Sequence, residues 1–179
     1  MIDTSAFQGK KARFYTLGCK LNFSETSTFA KLLGEMGVVE AEEGEKADIC
    51  LVNTCSVTEM ADHKCRQTIH RLVRENPGAF MVVTGCYAQL DSEKVSKMDG
   101  VDLVLGSNEK ADLMQYLNDA WALPADAADD GHRHIFHNVK TKDIKTFQPS
   151  CSRGNRTRYF LKVHDYRSEE RRVGKECRS

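Results

Sequence analysis

The chain has 179 residues, of which 40% are hydrophobic and 29% are charged, and its 26 Lys and Arg balance 26 Asp and Glu. This length and composition indicate one ordinary domain with room for the start of a second, and they exclude a disordered or collagen-like chain. No apolar run approaches the ~20 residues of a membrane helix, and the N-terminus lacks the apolar core of a signal peptide. We therefore expect a cytoplasmic protein with no membrane partner.

The first two thirds of the chain are acidic. Residues 1–124 carry 13 Lys and Arg against 18 Asp and Glu, a net charge of −5. Proteins that grip nucleic acid by themselves usually present a basic surface. We therefore expect no DNA binding, and no tight hold on RNA by this region alone.

Four short apolar runs predict strands, and the segments between them have helical spacing. The runs are Ala12–Thr16, Ile49–Asn53, Phe80–Thr84 and Leu103–Leu105. Strands that alternate with helices in this way are typical of βαβ units and a parallel sheet. Because the runs are continuously apolar, helices should cover both faces of the sheet. Residues 12–124 are therefore predicted to form a doubly wound, flavodoxin-like α/β domain.

Polar residues that accept hydrogen bonds from a first helical turn predict where the helices begin. The predicted capping residues, in chain order, are Asn22 or Ser24 for the first helix, Ser56 for the second, and Ser107 or Asn108 for the third. For the second helix, Glu59 follows Ser56 by three residues and completes a capping box.

The rest of the chain differs in character. Residues 125–150 are predicted to be a linker, in which the spacing H-x-H-x-x-H of His132, His134 and His137 is interpreted as a solvated loop rather than a metal site. Residues 151–166 are predicted to begin a truncated second domain, with a strand at 159–163. The segment 167–179, RSEERRVGKECRS, matches the translation of a common sequencing-adapter oligonucleotide at every position. We therefore expect it to be a non-native tail, and the natural chain to continue.

Three cysteines share one position relative to the predicted strands. Cys19, Cys55 and Cys86 each follow the end of a strand and precede a helix. The carboxyl ends of parallel strands lie along one edge of a sheet, so the three thiols are expected to face one crevice. Cys50 and Cys65 instead lie in the apolar part of a strand and of a helix, and are predicted to be core residues.

Three converging thiolates are suited to a soft metal. A structural zinc would need a fourth protein ligand, and none occupies an equivalent strand end, whereas an iron–sulfur cluster with three cysteine ligands leaves one iron open. Plain buried thiols are a competing interpretation, because cysteine is common in cores. A thiol redox protein is weakly supported, because there is no C-x-x-C and Cys50 lies ~17 Å from Cys55 along an extended strand.

The segments around the three cysteines resemble the N-terminal domain of the radical-SAM methylthiotransferases. They are TLGCKLNFSE at 16–25, VNTCSVT at 52–58 and TGCYAQ at 84–89. The resemblance covers roughly residues 12–124 and implies that Cys19, Cys55 and Cys86 hold an auxiliary [4Fe–4S] cluster whose open iron carries the sulfur or methylthio group. The Lys20-Leu21-Asn22 form of the first motif is most similar to the branch acting on N6-threonylcarbamoyladenosine next to the tRNA anticodon.

The same resemblance implies partners beyond this domain. In the full enzyme a second [4Fe–4S] cluster and S-adenosyl-L-methionine generate the radical that activates C2 of the modified adenine, and a sulfur donor resupplies the auxiliary cluster. The cysteine run C-x-x-x-C-x-x-C that binds the second cluster does not occur in this chain. We therefore expect an N-terminal fragment that binds a cluster but has no catalytic residues and no activity alone. The alternative is a non-enzymatic flavodoxin-like module with structural zinc or buried thiols.

Overall fold

Six parallel strands form the central sheet in a computed structural model, which describes residues 4–56, 58–123, 132–138, 150–151 and 161–162. The sheet strands are β1 (Lys11–Thr16), β2 (Val39–Glu40), β3 (Ile49–Thr54), β4 (Phe80–Gly85), β5 (Leu103–Leu105) and β6 (Ile135–His137). The α-helices are α1 (Lys20–Glu35), α2 (Glu59–Glu75), α3 (Cys86–Leu90), α4 (Ser92–Ser96) and α5 (Leu113–Ala122). The strand order is β2-β1-β3-β4-β5-β6. The predicted doubly wound, flavodoxin-like α/β fold is confirmed.

Alternate side chains of the central strands enter two separate hydrophobic layers. In β3, Ile49 and Leu51 pack in the layer that contains α1 and α5, whereas Cys50 and Val52 pack in the layer that contains α2. Every residue of β3 and β4 is buried, as expected for strands covered on both faces. Cys50 and Cys65 are 0% and 1% exposed, which confirms that they are core residues.

The first helix begins earlier than its predicted capping residues. Cys19 occupies the N-cap of α1, so Asn22 and Ser24 lie inside the helix and the prediction that one of them caps it is wrong. The Asn22 side chain is instead buried, and its amide nitrogen donates to the Thr54 carbonyl at 2.8 Å. The Ser24 hydroxyl donates to the Leu21 carbonyl at 2.9 Å. A tertiary hydrogen bond thus uses the Asn22 side chain, and a local bond within the helix uses that of Ser24.

The capping box predicted at Ser56 and Glu59 is wrong, and the predicted cap at Asn108 is confirmed only as the residue before a 3-10 turn. Thr58 rather than Ser56 caps α2, and its hydroxyl accepts the Ala61 N–H at 3.1 Å. Asn108 precedes a 3-10 turn, Glu109–Asp112, that leads into α5, although its side chain makes no capping hydrogen bond. The predicted cap of α2 therefore lies two residues before the observed one. The third predicted helix corresponds to α5, which a 3-10 turn precedes.

The sheet extends into the segment predicted to be a linker. Within residues 125–150, β6 pairs in parallel with β5, so the linker prediction is wrong at this point. The run Ile135–His137 is too short for periodicity to reveal a strand. The short elements β2, α3 and α4 are likewise not predicted by the sequence pattern.

The three histidines are not in a solvated loop, and they contact separate partners. His132 Nδ1 lies 2.8 Å from the Asp102 carboxylate, and His134 Nδ1 lies 2.6 Å from the Ser96 carbonyl. The His137 ring lies 4.5 Å from the ring of Tyr116. These contacts anchor β6 to the domain.

A separate antiparallel pair joins β7 (Ser150–Cys151) to β8 (Leu161–Lys162). The strand predicted at 159–163 is therefore confirmed at Leu161–Lys162, while its membership of a second domain stays a prediction. The tail at 167–179 lies outside the described residues. Within the ranges that are described, no helix has both the length and the apolarity to cross a membrane.

Candidate metal centre at the thiol edge of the sheet

Three adjacent strands deliver the three predicted cysteines to one edge of the sheet. Cys19 follows β1 and caps α1, Cys55 directly follows β3, and Cys86 directly follows β4 as the first residue of α3. We call this carboxyl-terminal edge, defined by Cys19, Cys55 and Cys86, the thiol edge. After β1 the chain adds β2 on one side of it and then β3 to β6 on the other side, so the strand order reverses between β1 and β3. Such switch points open a crevice where α/β proteins bind ligands. Cys19 and Cys86 are exposed, and Cys55 is 9% exposed.

Two glycines let the backbone approach the thiol edge closely. Gly18 has φ +113°, and a Cβ there would collide with the Cys55 Cβ and lie 2.9 Å from its Sγ. Gly85 has φ +100°, and a Cβ there would collide with the Thr54 carbonyl oxygen and lie 2.6 Å from Asn53 Oδ1. Both positions therefore require glycine for conformation and for space. These residues set the spacing between the segments that carry the cysteines.

A buried hydrogen-bond network ties the three cysteine segments together. Cys19 Sγ lies 3.1 Å from Asn22 Oδ1, and the Asn22 amide nitrogen donates to the Thr54 carbonyl, immediately before Cys55. The Thr54 hydroxyl donates to the Thr84 carbonyl at 2.6 Å, two residues before Cys86. Satisfied buried networks of this kind rigidify a site. The thiol positions are therefore fixed by the fold rather than by a loop.

The thiols influence one another electrostatically. Burial raises the pKa of Cys55, and the charges of Cys86 and Cys19 raise it further. Although the residue is exposed overall, desolvation of its thiol raises the pKa of Cys86, and the charge of Lys110 opposes that rise. Thiolates at the same edge repel, so a bound positive centre would favour their ionised form and release protons on binding.

A buried ion pair is linked to the thiol edge through hydrogen bonds. Lys110 Nζ lies 2.8 Å from Glu25 Oε1, and the two side chains are 6% and 8% exposed. Asn53 donates from its amide nitrogen to the other Glu25 oxygen at 3.3 Å and accepts from the Asn22 amide nitrogen at 3.2 Å. The pair was not predicted from the sequence. The polar Asn53 inside an apolar strand was the available signal, because a buried polar side chain requires a partner.

Cys50 and Cys65 lie in the core and do not join the thiol edge as ligands. Cys65 donates from its thiol to the Cys55 carbonyl at 3.2 Å. Like the three cysteines of the thiol edge, both are free thiols. Burial raises the pKa of Cys50 to about 11, which makes it a poor nucleophile for thiol exchange. Among the described residues, no group of three His, Cys, Asp or Glu side chains is arranged to hold a single metal ion.

The fold and the thiol edge define a flavodoxin-like α/β domain whose neighbouring strand ends carry three cysteines. Residues 11–106 match the model of the family described as uncharacterized protein family UPF0004. The chain belongs to this family, which forms the N-terminal domain of radical-SAM methylthiotransferases.

Named relatives agree with this membership. The chain is 39% identical over 105 residues to the threonylcarbamoyladenosine tRNA methylthiotransferase MtaB of Bacillus subtilis, covering 59% of the chain and 23% of that protein. It is 30% identical over 156 residues to MtaB of Thermotoga maritima, covering 87% and 33%. It is 39% identical over 120 residues to the tRNA-2-methylthio-N(6)-dimethylallyladenosine synthase of Corynebacterium efficiens, covering 63% and 23%. The chain thus spans a quarter to a third of the length of these relatives.

Proposed function

We propose that the chain is the N-terminal, cluster-holding part of a cytoplasmic tRNA methylthiotransferase. Its target would be C2 of N6-threonylcarbamoyladenosine next to the anticodon. The observation that carries this proposal is the delivery of Cys19, Cys55 and Cys86 to one edge by three adjacent strands. The names of the relatives support the activity, and several of them specify threonylcarbamoyladenosine.

The donor set fits an auxiliary [4Fe–4S] cluster. Cys19, Cys55 and Cys86 supply three thiolates, the ligand type that such clusters prefer, and Gly18 and Gly85 keep side chains out of the space between their segments. With only three protein ligands, the bound cluster would supply one open iron for a sulfur ligand. The hydrogen bonds through Asn22 and Thr54 hold the ligand-bearing segments in place. This domain's own task is then to bind and orient a sulfur carrier.

Other parts of the enzyme would supply the remaining chemistry. We infer that S-adenosyl-L-methionine, a second [4Fe–4S] cluster and most of the tRNA contact belong to segments beyond residue 166, and that a separate sulfur donor resupplies the thiol edge. The net charge of −5 over residues 1–124 supports this division, because an acidic domain is poorly suited to hold RNA.

A domain exchange tests the proposal. Residues 1–138, which include all six strands of the central sheet, replace the equivalent domain of the Bacillus subtilis relative in a strain lacking that enzyme, and tRNA nucleosides are analysed by mass spectrometry. We expect 2-methylthio-N6-threonylcarbamoyladenosine from the chimera and from its Cys50→Ala control, and none from its Cys55→Ala variant. A chimera that folds and loads iron but leaves this nucleoside unmodified would contradict the proposal. Methylthiolation by the 179-residue chain alone would contradict its assignment as an incomplete enzyme.

A further inference from the structure

The Glu25–Lys110 pair links distant parts of the chain beneath the thiol edge. Glu25 lies on α1, six residues after Cys19, and Lys110 lies in the 3-10 turn after β5, 85 residues further along the chain. The sheet order places β3 and β4 between the strands that lead to these two residues. The pair therefore spans the same strand ends that carry the cysteines.

Hydrogen bonds connect this pair to a candidate cluster ligand. From Cys19 Sγ the chain of contacts runs to Asn22 Oδ1 at 3.1 Å, from the Asn22 amide nitrogen to Asn53 Oδ1 at 3.2 Å, and from the Asn53 amide nitrogen to Glu25 Oε2 at 3.3 Å. It ends with Lys110 Nζ at 2.8 Å from Glu25 Oε1. The position of the ammonium is thus determined by groups that also fix the thiol edge.

Stability alone does not account for a buried pair at this place. Removing two charges from water is costly, and well-packed apolar residues often serve a fold equally well or better. Each side chain here is less than a tenth exposed. A fixed positive charge held by the same network as the thiol edge, in contrast, offsets the repulsion that an additional anion would meet there.

We propose that Lys110, held in position by Glu25, promotes binding of a small anionic sulfur ligand, a thiolate or sulfide, at the metal centre of the thiol edge. This inference rests on the proposed function. Lys110 acts through its positive charge and is not a metal ligand. Glu25 holds the Lys110 ammonium in position and partly offsets its charge.

Neutralising Lys110 and neutralising Glu25 should change anion binding in opposite directions, which distinguishes this role from a structural one. Loss of the Lys110 charge removes the favourable field, so anion binding weakens. Loss of the Glu25 charge removes a negative charge that offsets the ammonium, so anion binding strengthens. If the pair only supported the fold, breaking it from either side would change binding in the same direction.

The test uses the full chain reconstituted anaerobically with iron and sulfide and titrated with methanethiolate, with binding followed by absorption and by the electron paramagnetic resonance of the reduced sample. We expect Lys110→Gln to raise Kd about tenfold, the order of effect that one buried unit charge has on a neighbouring ion. Glu25→Gln should lower Kd, and Lys110→Arg, which keeps the charge, should stay within about threefold of the wild type on the same grounds.

Iron content measured on the same samples separates the two possible failures. Equal Kd values in all iron-loaded variants, or shifts of Glu25→Gln and Lys110→Gln in one direction, would overturn the role of Lys110 alone. A wild-type chain that holds no iron would overturn the proposed function and this inference together. If a single variant does not fold, the neutral double variant Glu25→Gln/Lys110→Gln replaces it. That variant should still raise Kd, by less than Lys110→Gln does, and wild-type binding by it would refute the inference.

Discussion

Substituting Gly18 by alanine tests how closely β1 and β3 bring their cysteines together. Gly18 has φ +113°, which an L-residue adopts only at a cost of about 1–2 kcal/mol. Its new Cβ would also collide with the Cys55 Cβ, which cannot rotate away, and lie 2.9 Å from the Cys55 Sγ. Overpacking of this kind costs about 1–3 kcal/mol. We expect Gly18→Ala to lower the free energy of unfolding by the sum of the two effects and to displace the Cys55 sulfur.

Gly44→Ala is the matched control, because Gly44 has φ +88° and nothing lies within 4 Å of a Cβ built there. It shares the conformational cost and lacks the collision. Urea unfolding of the reduced apoprotein gives the stability difference, and iron content after reconstitution gives the effect on the site. Gly18→Ala should lose about 1–3 kcal/mol more than Gly44→Ala and should also load less iron. Equal stability and equal iron loading in the two variants would refute the close approach.

Two further predictions concern a helix cap and a buried thiol. Thr58→Ala should lower the free energy of unfolding by about 1 kcal/mol in urea denaturation, because it removes the N-cap of α2. Ser56→Ala should have little effect, and the reverse ranking would contradict the assignment of the cap. Burial raises the pKa of Cys50 from 9.0 to about 11, so the folded state keeps a proton that the unfolded state releases above pH 9. Cys50 should therefore lower the free energy of unfolding by about 2 kcal/mol as the pH rises from 9 to 11, so the pH slope should be smaller in Cys50→Ala; an unchanged slope would contradict the buried position.

The register of the cysteines could be predicted because it depends only on fold class. Once residues 12–124 are recognised as alternating strands and helices, parallel pairing sends the ends of β1, β3 and β4 to the same edge. Neither long-range packing nor exact helix boundaries enter that argument. The prediction that the three cysteines lie at one edge is therefore correct, although the predicted caps of α1 and α2 are wrong.

The features that escaped prediction depend on contacts between distant residues. The partners Glu25 and Lys110 are separated by 85 residues, and each alone resembles an ordinary surface charge in the sequence. Likewise β6 is a strand only because β5 offers it an edge, and its three residues carry no periodic pattern of their own. Asn22 is drawn from capping into the core by its bond to the Thr54 carbonyl. Tertiary contacts, and not local propensity, determine the conformation and the partners of such residues.

The central claim is tested most directly by counting iron and sulfide per chain after anaerobic reconstitution of the wild type and of four single variants. Alanine replaces Cys19, Cys55 or Cys86 at the thiol edge, or the buried Cys50 as a control for mutation of a core thiol. We expect the wild type and Cys50→Ala to hold a [4Fe–4S] complement, and each variant at the thiol edge to lose most of it. Full iron retention in Cys55→Ala, or equal losses in all four variants, would show that these three sulfurs do not surround one centre.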